Sequence, residues 1–390
     1  MYMLADNVIQ KNDFEVIIIG GGLAGLICAI LLARGGKKIL LIEKSSYPHH
    51  RVCGEYISNE VLTFLNSLGF DPFKYGAVPI KRLRVSTPAG KNISVRLDLG
   101  GFGLSRFTMD YALFQLALQS GACIMTNTKV TDVAFENTSF TVKTNASEAF
   151  STGLVIGSYG KRDTLDKQLS RPFIQSHTGY LGVKYHIKTD YPVDEIGLDN
   201  FEGGYCGISR VEDNKYNLCY LYHRKKQAEF KTIKDVEANI LFRNPALKNI
   251  FSNSEFLFPK PEVINDFSFA PKALVENHIL MCGDSAGLIT PLCGNGMSIA
   301  IHSAKVLCDL ILKSRILDSN LISASRREHL EKAYRKEWQK NFSKRLFWGR
   351  TIQKLFGSST ITGLGVRSVH AIPPLERWLV GKTHGRPIAV

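Results

Sequence analysis

The sequence predicts an α/β protein in which a parallel, nucleotide-binding sheet is assembled from separated segments. An antiparallel sheet domain is inserted between them, and a basic helical segment follows. Three observations lead there: a glycine-punctuated strand–helix–strand run early in the chain, a second glycine-rich strand-to-helix passage around residues 278–301, and alternating strand patterns in between. The expected boundaries are 1–75, 100–170 and 268–320 for the discontinuous nucleotide-binding domain, 76–99 and 171–267 for the sheet domain, and 321–390 for the helical segment.

Residues Asp13 to Glu43 carry the first signal. Val16 to Ile19 are uniformly apolar, as in a parallel strand buried on both faces. Gly20, Gly22 and Gly25 follow in GxGxxG spacing: a tight turn, a close backbone approach to a pyrophosphate, and close helix–strand packing. Leu23 and Ala24 open an apolar helix that reaches about Arg34 and stops at Gly35-Gly36. A second strand, Lys38 to Ile42, ends at Glu43, which is placed to accept ribose hydroxyls, with Lys44 beside it. With strand, helix and acid in register this is a dinucleotide-binding arrangement, and it leaves FAD and NAD both open.

The second signal is His278 to Ile301. Ile279 to Met281 form a short apolar strand that ends at Gly283-Asp284, and Pro291 leads through Gly294, Asn295, Gly296 and Met297 into a helix from about Ser298 to Leu312. The segment resembles the GD motif of flavoproteins related to para-hydroxybenzoate hydroxylase, and more closely that of the geranylgeranyl reductase branch. The resemblance implies a Rossmann-type FAD-binding domain, with Asp284 on the ribityl chain and Pro291 to Met297 lining the isoalloxazine. A helix N-terminus there suits the negative charge of reduced flavin. Arg51-Val52-Cys53-Gly54-Glu55 resembles the (K/R)-x-C-G segment of the reductase branch, and Arg106 to Asp110 resembles the R-x-x-L-D start of the helix covering the cofactor. Lys129 to Val133, with Val130 in the cofactor set, resembles the strand beneath the adenine.

The resemblance implies an FAD-dependent oxidoreductase acting on a bulky apolar or aromatic small molecule. Monooxygenase (hydroxylase) chemistry and reduction of a carbon–carbon double bond in an isoprenoid both remain open. One departure concerns the electron donor. The family's D-G pair after the central strand is replaced in Leu154–Asp163, where Tyr159 stands at the acid's position. NADPH or NADH would then dock differently, and a donor that is not a nicotinamide is the alternative.

Between the nucleotide segments, Arg82 to Val95 reads as a hairpin about Pro88-Ala89-Gly90, and Gly179–Lys188, Ile196–Ser209 and Tyr216–His223 read as strands. Asp213-Asn214-Lys215 is a turn signal between the last two. Tyr205 lies in the glycine-dense run Phe201–Gly207 and is a candidate to face the substrate. Cys53 and Cys293 are candidates for redox work or protonation of a substrate carbon; the plainer alternative is a small side chain beside a tight loop. His49-His50 reads as a solvated loop, and no His/Cys spacing suggests a metal site. Tryptophan occurs only at 338, 348 and 378, so the W-x-W-x-I-P pattern of flavin halogenases is missing and a halogenase is not expected; the reductases' Y-x-W-x-F-P pattern is missing too. The alternative of another class is a non-catalytic prenyl- or lipid-binding protein on the same fold, against which Asp284 and its loop stand.

The chain carries a net charge of +14, and residues 331–390 hold twelve Lys/Arg against three Asp/Glu. Leu330, Tyr334, Trp338, Phe342 and Leu346 recur every fourth residue among lysines and arginines, the pattern of an amphipathic helix. Its apolar stripe is expected to pack on the body of the protein. Its basic face leaves open peripheral contact with an anionic membrane or an acidic carrier. Nucleic acid is not expected, because no binding motif accompanies the charge. Eight cysteines without a CxxC pair and no signal-peptide pattern point to the cytoplasm.

Overall fold

The fold is that of a computed structural model, which describes residues 14–175, 179–224, 229–265, 268–288, 290, 294–319, 321–355 and 385–389. It opens with β1 (Val16–Ile19), α1 (Leu23–Arg34) and β2 (Ile39–Ile42). β3 (Tyr56–Ser58), α2 (Leu62–Ser67), β4 (Val78–Ser86) and β5 (Asn92–Gly103) come next. They lead into α3 (Arg106–Gln119), β6 (Cys123–Met125), β7 (Val130–Glu136), β8 (Ser139–Thr144), β9 (Ala149–Thr152), β10 (Leu154–Gly157) and α4 (Thr164–Gln168). A run of strands follows: β11 (Tyr180–Lys188), β12 (Glu195–Phe201), β13 (Gly204–Arg210) and β14 (Tyr216–His223). Then come α5 (Ile233–Asn239), α6 (Pro245–Ser252), β15 (Glu255–Phe256) and β16 (Glu262–Asn265). β17 (Val275–Glu276), β18 (Ile279–Met281), α7 (Gly296–Ser314) and α8 (Ala324–Leu355) complete the order.

Sequence-distant strands meet in a six-stranded sheet ordered β17-β18-β10-β1-β2-β6. Its central pairs are parallel, and every residue of β1, β2 and β10 is buried. α1 is apolar all round because it is enclosed between this sheet, α3 and α7.

The second layer is a nine-stranded sheet in which β11, β14, β13, β12, β4, β5 and β3 lie side by side, with β15 and β16 both pairing to β11. It takes in β3 and the end of β5, residues 100–103, which lie outside the 76–99 span expected for it. The expected single strand Ile196–Ser209 is instead a hairpin, β12 and β13, with Phe201 opposite Gly204. The reason is local: Gly203 takes φ +82, a left-handed turn conformation that glycine adopts without strain, so the glycines mark a reversal within the run. The turn expected at Asp213-Asn214 forms, with both residues near φ +56.

One face of this sheet, carrying Val183, Tyr185, Leu218 and Tyr220, packs on α5 and α6. The opposite face turns toward the nucleotide-binding layer. The apolar stripe of α8 packs into the main core: Tyr334 and Phe342 are fully buried, and Tyr334 Oη donates to Met281 O at 2.5 Å.

Candidate functional site

The N-terminus of α1 is built for close approach. Gly20 takes φ +98, and a Cβ there would stand 2.6 Å from Ser158 O; one on Gly25 would run into the Gly20 carbonyl. Gly22 caps α1 without any side-chain hydrogen bond, so the first-turn N–H groups are left for an incoming acceptor. Leu23 and Ala24 are buried beneath the turn.

Glu43 is almost fully buried at the end of β2 and accepts hydrogen bonds from Gly21 N (2.6 Å) and Ser45 N (3.0 Å). Arg51 Nη2 lies 3.5 Å from Glu43 Oε2 and has no hydrogen-bond partner among the described residues. Next to β2, an open cleft is lined by Gly20, Lys44, Thr128, Val130, Tyr159 and Asp163, among others. Lys44 is exposed and pairs with Asp163 at 3.4 Å.

Arg106 reaches the same cradle from α3. Both its guanidinium contacts go to Asp110, at 2.6 and 2.7 Å, and its Nη2 stands 3.7 Å from where a Cβ on Gly22 would be. Burial works against the charge of Arg106, but Asp110 outweighs it and raises the guanidinium pKa.

The GD segment closes the cradle. Gly283 takes φ +61, and a Cβ there would meet Ala24 at 2.8 Å, so this glycine lets the segment press on α1. Asp284 is half-buried, and its carboxylate makes no hydrogen bond among the described residues. Gly294 takes φ +66 against the Tyr56 ring. Asn295 stands at the N-cap of α7 and its side chain makes no capping hydrogen bond, Gly296 and Met297 form the first turn, and the buried Ser298 Oγ has no partner among the described residues. Pro291 and Cys293 lie outside the described residues.

Cys53 is half-buried, and its carbonyl accepts from Asn217 Nδ2 at 3.1 Å. Tyr205 is buried with Leu221 and Leu288, Leu198 and Ile264 packing alongside. Cys219 shares the inner sheet face with Asn217; burial first, then the neighbouring Cys53, push its thiol up to about 12.

A family model described as an FAD binding domain matches residues 13–314. The chain belongs to this FAD-binding family. The digeranylgeranylglycerophospholipid reductase of Methanoculleus marisnigri is 23% identical over 330 residues, covering 78% of each chain. Among solved structures, a flavin-dependent brominase superposes with TM-score 0.77 at 17% identity, covering 95% of this chain and 93% of its own. A geranylgeranyl bacteriochlorophyll reductase-like protein of Thermoplasma acidophilum superposes with TM-score 0.74 at 19% identity, covering 90% of both. At those identities the superpositions show the fold alone. The protein is an FAD-dependent oxidoreductase.

The residues present fit that cofactor. Two helix N-termini without side-chain caps suit anionic groups, and Glu43 and the open Asp284 carboxylate suit hydroxyls. Three features escaped the sequence reading. Tyr159 is turned into the protein, its hydroxyl 3.4 Å from Met281 Sδ, and burial, then Asp166, raise its pKa; Ser285 takes over the link between segments by accepting from Gly160 N at 2.9 Å. Lys272 donates to Asp284 O and Lys161 O, both at 2.8 Å, and burial lowers its ammonium to about 8 against the pull of Asp284 and Asp166. His50 is half-buried: it packs between Phe107 and Phe258 and meets the His186 ring edge-on. Only Tyr159 had a signal in the sequence, as a departure from the expected acid.

Proposed function

We propose that this oxidoreductase reduces a carbon–carbon double bond in a bulky, lipid-soluble isoprenoid. The observation that carries the reading is the pairing of the Cys53–Gly54 loop with an apolar wall on one sheet face. The strand registers align Leu198 with Gly207 and Cys219, and Tyr205 with Leu221, and Leu288 from the GD segment packs on Tyr205. An apolar chain beside a half-buried thiol in a water-poor setting suits hydride delivery to an unactivated carbon. Bound FAD supplies the hydride; the protein's own residues supply orientation, water exclusion and a proton source, for which Cys53 is the candidate. The name of the archaeal relative supports the substrate class. The missing halogenase motif weighs against halogenation despite the similarity of fold. Among the described residues no helix is long and apolar enough to cross a membrane. We therefore also propose that the exposed lysines of α8 bring the enzyme to an anionic membrane surface, where such a substrate would reside.

The test is anaerobic. Protein whose flavin has been reduced with dithionite is mixed with a geranylgeranyl lipid. Reoxidation of the flavin with gain of a hydrogen pair by the lipid is expected. Reoxidation only on admitting air, with an oxygen atom gained by an aromatic substrate, would replace this reading with the hydroxylase.

A further inference from the structure

The loop Arg51–Glu55 belongs to no helix or strand, yet its backbone is fastened to the inner face of the antiparallel sheet. Strand register places His186, Asn217 and Ser209 in one row, with Lys184 and Cys219 in the next, all on the same side. Lys184 Nζ donates to Arg51 O at 3.1 Å, Asn217 Nδ2 to Cys53 O at 3.1 Å, and Ser209 Oγ to Gly54 O at 3.4 Å.

Glu55 ends the loop and is its most constrained residue. It is fully buried, and it takes φ +54, a conformation that a glutamate rarely adopts. Its Oε1 accepts from Lys184 Nζ at 2.5 Å and from Arg106 N at 2.8 Å, while its Oε2 faces His186 Nε2 at 2.6 Å. Burial alone would raise this carboxyl; Lys184 and His186 outweigh it and hold it down at about 2.

Such a pair is a poor device for stability. Lys184 is as completely buried as Glu55, and well-packed apolar residues in place of a buried ion pair are often neutral or stabilising. Its location suggests another purpose. Through the Arg106 N–H, Glu55 fixes the first residue of α3, whose guanidinium stands over the Gly22 turn. Through its own backbone it fixes Cys53-Gly54. One carboxylate thus ties the dinucleotide turn, the thiol loop and the inner sheet face together, and a strained φ beside such a loop is the pattern of a functional constraint.

We propose that Glu55, with Lys184 and His186, is a positioning unit for the cofactor: it sets the Cys53–Gly54 backbone and Arg106 for bound FAD, and so governs FAD affinity and reduction potential. This rests on FAD binding and not on the identity of the substrate.

The test uses the full chain and reads three quantities: the melting temperature of the apoprotein, the FAD dissociation constant from a fluorescence titration, and the flavin midpoint potential against a reference dye. Glu55→Gln alone strands the Lys184 charge and lowers the melting temperature. Glu55→Gln with Lys184→Met removes both charges and restores it. In that double variant FAD is still expected to bind about tenfold more weakly, with a displaced midpoint potential. A double variant matching the parent in all three quantities overturns the proposal. If it does not fold, a second pair decides. His186→Gln, whose amide still donates to Glu55, should keep the parental potential, and His186→Phe, which cannot donate, should not; equal potentials in the two overturn the proposal.

Discussion

At the scale of single residues, Asp284 and Glu43 make a useful contrast. The Asp284 carboxylate makes no hydrogen bond among the described residues, whereas that of Glu43 bonds the Gly21 and Ser45 N–H groups. Asp284→Ala should therefore leave the apoprotein's melting temperature nearly unchanged while weakening FAD binding about tenfold or more, the effect of losing a charge-assisted hydrogen bond. Glu43→Ala should lower both, because it also strands the buried Gly21 N–H and the half-buried Ser45 N–H. Differential scanning fluorimetry and flavin titration on the two variants check this; equal loss of stability in both would remove the distinction. The same contrast explains what was legible. Glu43 stands in a local pattern whose spacing carries the chemistry, and Arg106 and Asp284 stand in short segments that resemble the family's motifs. Glu55 does not: its partners Lys184 and His186 lie 129 and 131 residues downstream, so nothing in its neighbourhood marks it as buried and paired.

At the scale of elements, α8 shows how far a periodic pattern reaches. The stripe Leu330–Tyr334–Trp338–Phe342–Leu346 is buried as its spacing requires, while Lys332, Lys336, Lys340 and Lys344 form an exposed row ending beside Phe347, which is 58% exposed. Lys332 and Lys340 pair with Glu328 and Glu337 on the surface, contacts worth little. The two faces should separate experimentally. Phe342→Ala empties a filled core site and should cost about 3–5 kcal/mol of stability, read by urea unfolding. Lys336→Glu with Lys340→Glu should leave unfolding unchanged but abolish sedimentation with phosphatidylglycerol vesicles. Parental binding by the charge-reversed protein would remove the membrane proposal. The hairpin β12–β13 marks the limit of this kind of reading: apolar residues continue on both sides of Gly203-Gly204, so alternation alone joins two strands that one left-handed glycine divides.

At the scale of the whole molecule, the buried titratable groups set a pH window for stability. Burial first, then nearby cations, lower His50 from 6.5 to about 4 through Lys184, and His302 likewise to about 4 through Arg345 and Lys305. Glu55 is lowered from 4.5 to about 2. A histidine whose folded pKa is depressed stays neutral in the folded chain while the unfolded chain takes up its proton. Its contribution is therefore fully present above pH 6.5 and is lost as the pH falls toward 4. Glu55 adds a second loss in the same direction, beginning only below 4.5. Stability should thus decline from near-neutral pH downward, first through the histidines and then through the carboxylate, with the melting temperature lower by several degrees at about pH 4.5 than at about pH 7. His302 allows the histidine share to be isolated, since its ring meets Phe342 edge-on under α8 and it belongs to none of the cofactor motifs. His302→Gln removes the titration while keeping a polar side chain, so its melting temperature should fall less steeply with acid than the parent's. Parallel curves for the two proteins would assign the acid sensitivity to the other groups, with His50 and the Glu55 unit the first to substitute next.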